Sequence, residues 1–206
     1  QHFNMLDHKH IIEFAESHSR NFAIIQQIRI IYQQLIYLRK RSYIISKENE
    51  KLLNHQKQAL AQLRKPNQQS FNEYFILYYT SYGIVSFLQG DFIKAQQFLD
   101  KIFSTLDLSN IFLRNNYEFV LDFIRLYFDA LFFSQQYRLI QKQLKLIETL
   151  QFRHTQVQIQ FDIILFLTKN RLYHTICEYD KVKTLFQQYH QNFSEWIHQS
   201  AQEIKT

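Results

Sequence analysis

Residues Tyr74–Phe103 read YFILYYTSYGIVSFLQGDFIKAQQFLDKIF, and the fold turns on them. Tyr74–Leu88 is apolar on almost every side, as a helix is when neighbours cover it all round. Gly90 supplies the positive φ that ends such a helix. Asp91 is placed to cap a second helix, whose apolar residues Phe92, Ala95, Leu99 and Ile102 recur at helical spacing. The stretch therefore predicts two helices folded back across Gln89-Gly90-Asp91.

Composition carries the same reading to the whole chain. Its 206 residues contain two Gly and one Pro, far too few turn formers for an all-β or α/β chain of this length. The expected class is all-α. With 46% hydrophobic and 17% aromatic residues the chain can bury a sizeable core, which excludes a disordered segment.

Outward from the hairpin, the pattern predicts further pairs. A helix over 5–17 is followed by Phe22–Leu38, where Ile24, Ile28, Ile31, Leu35 and Leu38 share a face. Arg39-Lys40-Arg41-Ser42 then turns the chain into Tyr43–Leu63, and Pro66 breaks it. A third pair spans Asn116–Phe133 and Gln136–Leu150 across Ser134-Gln135. A fourth spans Thr155–Lys169 and Leu172–His190 across Asn170-Arg171, and a short polar-faced helix over 194–204 closes the chain. The expectation is one helical repeat domain over 1–206. Its hairpins lie near 22–63, 74–104, 116–150 and 155–190, and its caps near 5–17 and 194–204.

The residues Tyr79, Tyr82-Gly83, Gly90, Phe92, Ala95 and Leu99 stand in the register of a tetratricopeptide repeat, and the stretch resembles one. Gly83 and Ala95 carry the likeness, because small side chains let paired helices approach closely. Ser86 departs from it, standing where the family usually has an aromatic. The resemblance implies a diverged α-solenoid of about nine or ten helices. Superimposing the turns aligns Tyr43, Phe92, Tyr137 and Leu172, at intervals of 49, 45 and 35 residues. Ser46, Ile140 and Thr175 then stand where Ala95 does.

Catalytic and cofactor patterns are sparse. Two glycines cannot build a phosphate loop, His8 and His10 point to different helix faces, and no histidine pair has metal-ligand spacing. His174 and Cys177 could pair as base and nucleophile, although a core cysteine beside a surface histidine is the plainer account. The expectation is a non-enzyme without metal or cofactor. A lone cysteine excludes a disulfide framework and fits a reducing, cytoplasmic setting. The uncharged run Tyr74–Gly90 contains Thr80, Ser81, Ser86 and Gln89, and at 17 residues it falls short of the about 20 a membrane span needs. Because the chain begins at Gln1, it reads as a piece of something longer.

One polar constellation interrupts an apolar helix: Asp122, Arg125 and Asp129 in FVLDFIRLYFDALFF. Their spacing puts all three on one face, where Arg125 can pair with either carboxylate. The resemblance puts that face on the concave groove of a solenoid, together with Leu77, Thr80, Ile84 and Phe87 of the second hairpin and Val157, Gln160, Ile164 and Leu167 of the fourth. Two accounts stay open: a self-neutralised stripe that keeps a helix face soluble, or a polar contact inside an aromatic-lined groove that binds a peptide. Arg39, Lys40, Arg41 and Lys47, with Arg64 and Lys65, form the main basic cluster in a net charge of +6. Glu48 and Glu50 dilute it, and a solvated turn explains it better than nucleic acid does.

The leading expectation is a scaffold that binds a protein or peptide segment. The chain also looks like the repeat domain of peptide-responsive bacterial transcription regulators, in its length, aromatic richness and missing start. That resemblance implies peptide sensing and a homodimer.

Overall fold

The computed structural model describes residues 3–41, 47–67, 72–107 and 109–203, with side chains described over 19–192 and at Ser194 within them. Among the described residues there are nine α-helices and no strand. The chain packs as two compact units, Gln1–Leu106 and Asp107–Thr206.

The first unit contains α1 (Phe3–Arg41), α2 (Lys47–Gln62), α3 (Glu73–Leu88) and α4 (Phe92–Phe103). Helix α1 corrects the expectation of two helices over 5–17 and 22–38: it runs unbroken for 39 residues. Ser19-Arg20-Asn21 is polar and exposed, but it contains neither Gly nor Pro, so nothing forces the backbone out of the helix. Ile28, Ile31, Leu35 and Leu38 are buried as expected, and with Leu53 and Leu60 of α2 they close one side of the core. The turn expected at 42–46, Ser46 included, lies outside the described residues. Arg29 of α1 donates to Glu73 of α3 through Nε and, at 2.9 Å, through Nη2. Tyr74 Oη donates to the Arg64 carbonyl at 2.5 Å and fastens the segment around Pro66.

Helix α3 is the centre of this unit, packed by α1, α2 and α4. Asn72 caps it by accepting from Phe75 N at 3.0 Å, and Asp91 caps α4 by accepting from Lys94 N at 3.1 Å. Gly90 has φ +79. A Cβ on Gly83 would stand 2.6 Å from Leu99 Cδ2 and 2.8 Å from Leu99 Cγ, so glycine sets the separation of α3 from α4. Ala95 and Leu99 are fully buried on the facing side. Burial, then the hydrogen bond with Tyr82, pushes the Tyr78 phenol above its ordinary range. No helix among the described residues is long and apolar enough to cross a membrane.

The second unit contains α5 (Ile111–Asn115), α6 (Tyr117–Phe133), α7 (Tyr137–Ile147), α8 (Thr155–Thr175) and α9 (Tyr179–Glu203). Helix α5 answers to no sequence expectation; Asn110 starts it by accepting from the backbone N–H groups of Phe112 and Leu113. The third hairpin forms where expected. The fourth does not: α8 passes straight through Asn170-Arg171 and turns at Ile176-Cys177-Glu178. Asn tolerates a left-handed backbone without demanding it, and buried Thr168 and Leu172 hold the helical period across the site. Helix α9 then runs 25 residues without a break, so the expected cap over 194–204 is its continuation rather than a separate helix.

The same turn closes all three described hairpins. At Gly90, Gln135 and Cys177, with φ of +79, +58 and +60, a left-handed residue follows the first helix. Its N–H and the next one donate back to the last turn: Gly90 to Phe87 and Asp91 to Ser86, Gln135 to Phe132 and Gln136 to Leu131, Cys177 to His174 and Glu178 to Tyr173, at 2.8–3.2 Å. This is the Schellman arrangement, which satisfies carbonyls a helix end would otherwise orphan. A ring pair five residues apart spans each turn: Phe87 with Phe92, Phe132 with Tyr137, His174 with Tyr179, with centroids 5.3, 6.4 and 5.9 Å apart. The counterpart of Phe92 and Tyr137 is therefore Tyr179, not Leu172, and that of Ala95 is Val182, not Thr175. The intervals are 45 and 42 residues, both longer than the roughly 34 of a regular tetratricopeptide array.

Candidate functional site

Asp122, Arg125 and Asp129 do share a face of α6, since residues 3, 4 and 7 apart stack along a helix. Eleven apolar residues of that helix, Phe123, Ile124 and Tyr127 among them, are buried around the opposite sides. The Arg125 side chain is 49% exposed and its Nη1 lies 3.6 Å from Asp122 Oδ1. Asp129 reaches the neighbouring helix α8, where Arg171 Nη1 donates to its Oδ1 at 3.1 Å. The Arg171 guanidinium lies over the Phe132 ring at 4.1 Å and near the Phe133 ring at 5.5 Å, a cation–π arrangement. Phe133 and Leu167 of the same two helices are both more than half exposed. The face thus combines an open arginine, an arginine clamped between a carboxylate and two rings, and uncovered apolar side chains.

The other expected contacts fall elsewhere. Thr80 is 1% exposed inside α3, and its Oγ1 has no hydrogen-bond partner. It lies in the first unit's core, covered by helices that pack α3 on several sides, so it is no groove contact. Gln160 is exposed on α8, but the corrected interval of 42 makes Ile164, Leu167 and Arg171 the counterparts of Asp122, Arg125 and Asp129. Gly83 and Ala95 lie buried at the α3–α4 contact and Phe92 meets the Phe87 ring, whereas Gly90 is exposed and serves the turn through its positive φ rather than by packing. Cys177 is an exposed turn residue rather than a core cysteine, with Tyr179 Oη 3.9 Å from its sulfur. At the end of α1, Arg39 lies over the Phe87 ring at 5.8 Å and Arg41 over the Tyr37 ring at 4.6 Å, so two members of the basic cluster cover aromatic surface. No group of three potential metal ligands occurs among the described residues.

A second feature of this unit has no forerunner in the sequence reading. A cleft of about 370 Å³ opens between α7, α8 and α9. Leu144 and Leu172, both buried, form its apolar lining, and Tyr173, Lys145, Lys169, Lys181 and Glu148 its polar one. Lys169 Nζ lies 2.8 Å from Glu148 Oε1, and Lys181 Nζ lies 2.7 Å from Glu178 Oε2. The Glu178 hydrogen bond raises the Lys181 pKa above its ordinary value. Half-buried Asp162 of α8 accepts from Gln158 Nε2 at 2.9 Å, and burial holds its carboxyl above the usual carboxylate range. The cleft draws residues from three helices, including Lys169 and Leu172 on either side of the misplaced turn. With α8 ended at Lys169, the cleft could not be assembled from the sequence.

No known protein family matches the chain, and no curated protein or solved structure does.

Proposed function

We propose that the chain is a non-catalytic scaffold that binds a protein or peptide segment, with its hairpins stacked as a short, diverged tetratricopeptide-like α-solenoid. Packing order supports the stacking. In each unit the first helix of one hairpin packs on the first helix of the next, α1 on α3 and α6 on α8, as well as on its own partner. The observation that carries the binding role is the α6–α8 face, where Arg125, Arg171, Phe133 and Leu167 are exposed together. Arginine and aromatic side chains that are held in place and still open are the usual anchors of protein interfaces. Arg171 loses little freedom on binding, because Asp129 and Phe132 already fix it.

Selection of a displayed random-peptide library against the full chain tests this. Enriched peptides should bind the wild type and lose roughly tenfold or more in affinity to Arg125→Ala and Arg171→Ala, the loss that removing an interface anchor brings. Failure to enrich any peptide, or peptides indifferent to both substitutions, refutes the reading.

A further inference from the structure

Helix α7 carries Arg138, Lys142 and Lys145 at i, i+4 and i+7, a spacing that aligns them within about 60° of one another around the helix. All three are exposed, and no ion pair joins them to a described residue. Opposite this ridge, Ile140, Leu144 and Ile147 anchor α7 in the core. Lys145 sits at the rim of the cleft, whose other ammonium groups are Lys169 and Lys181. The two carboxylates nearby are each committed to a lysine, Glu148 to Lys169 and Glu178 to Lys181. Among the described residues no ion pair neutralises the ridge, and Lys145 joins it to the cleft.

We propose that the α7 ridge and the adjoining cleft bind an acidic peptide segment, its carboxylates along Arg138, Lys142 and Lys145 and a neighbouring side chain at the cleft beside Lys145, Lys169 and Lys181. This deepens the scaffold reading and rests on it. Charge complementarity names the occupant: three cations in a row, joined by no ion pair to a described residue, want a row of anions. The cleft chooses among anions. Its volume suits side chains, within the range of about 300–1,000 Å³ typical of ligand pockets. The one aromatic in the lining, Tyr173, is half-buried with the Lys181 ammonium 5.6 Å from its ring centre. Single-stranded nucleic acid needs open rings on which bases can stack.

Fluorescence anisotropy with the full chain decides it. The probes are a fluorescein-labelled dodecapeptide alternating Glu with Leu, the same peptide with Gln for Glu, and an oligothymidine of equal length. The acidic peptide should bind tightest and weaken several-fold as salt rises through the range that screens exposed charges. The Lys142→Gln/Lys145→Gln variant, changed only at exposed positions, should bind it about fivefold more weakly, two exposed charge contacts being lost. Equal binding of the Gln peptide, stronger binding of the oligothymidine, or an unchanged double variant overturns the proposal. If library-selected peptides still depend on Arg125 while the acidic probe fails, only this inference falls. If no library peptide is enriched, the scaffold reading falls as well.

Discussion

Hairpin α3–α4 holds both of the chain's glycines; hairpin α6–α7, 45 residues further on, has none. The turns have the same hydrogen bonds and the same ring pair. Glycine is thus a convenience at the turn, where Gln135 adopts the same left-handed backbone at some cost. At Gly83 it is a requirement, because Leu99 occupies the space a Cβ would need. The counterpart of Gly83 is Phe128, a buried ring where the first hairpin has only a hydrogen. The outer surroundings differ too. Thr80 is sealed among the helices that cover α3, whereas its counterpart Arg125 stands half in water. One hairpin plan therefore serves as a core in the first unit and as a face in the second.

The sharpest way to break this contrast is at the α3–α4 contact. Leu99→Ala should lose about 3 kcal/mol, the usual result of emptying a fully buried leucine site. Gly83→Ala should lose about 1–3 kcal/mol by overpacking. In the Leu99→Ala background the same change should instead gain up to about 1 kcal/mol, since only the helix propensity of alanine then remains. Urea unfolding of the four proteins gives the coupling; additive losses would mean that Leu99 does not hold Gly83 to glycine.

Next in size are the turns. Gly90→Ala should cost about 1–2 kcal/mol, the penalty of a Cβ in the left-handed region. Gln135→Gly and Cys177→Gly should each gain, by under about 1 kcal/mol, because relief of that penalty is offset by glycine's unfolded-state entropy. Three substitutions of one sign would show that the turns are not equivalent.

The smallest effects separate Thr80 from Arg125. Thr80→Val removes a buried hydroxyl without a partner and should raise the melting temperature, with a gain of about 1 kcal/mol. Arg125→Ala should shift stability by no more than about 0.5 kcal/mol, as exposed substitutions do. A destabilised Thr80→Val would point to a hydroxyl contact and would erase the distinction.

Local signals were legible where a residue could do only one thing. Gly90 and Asp91 ended and began helices as read, and Gly83 and Ala95 marked a close approach. Errors came where the backbone had a choice. Asn170 could turn and did not; Cys177 turned although a cysteine rarely does. The gap expected between 17 and 22 did not form, because polar Ser19-Arg20-Asn21 contains nothing that ends a helix. One misplaced turn then shifted the register of the fourth hairpin by seven residues, from Leu172 to Tyr179. It hid Arg171 inside a supposed loop, put Gln160 in place of Leu167, and concealed the cleft around Lys169. The basic ridge was available from spacing alone, as Arg138, Lys142 and Lys145 recur at helical intervals. Its meaning was not, because it depends on which carboxylates are already engaged.

The ring-to-ring staple across each turn has a wider consequence. Where two rings five residues apart clasp a helix end, the left-handed position between them accepts glutamine or cysteine as well as glycine. Hairpins of this kind leave their trace in the spacing of aromatics, and a chain nearly empty of glycine and proline can still double back again and again.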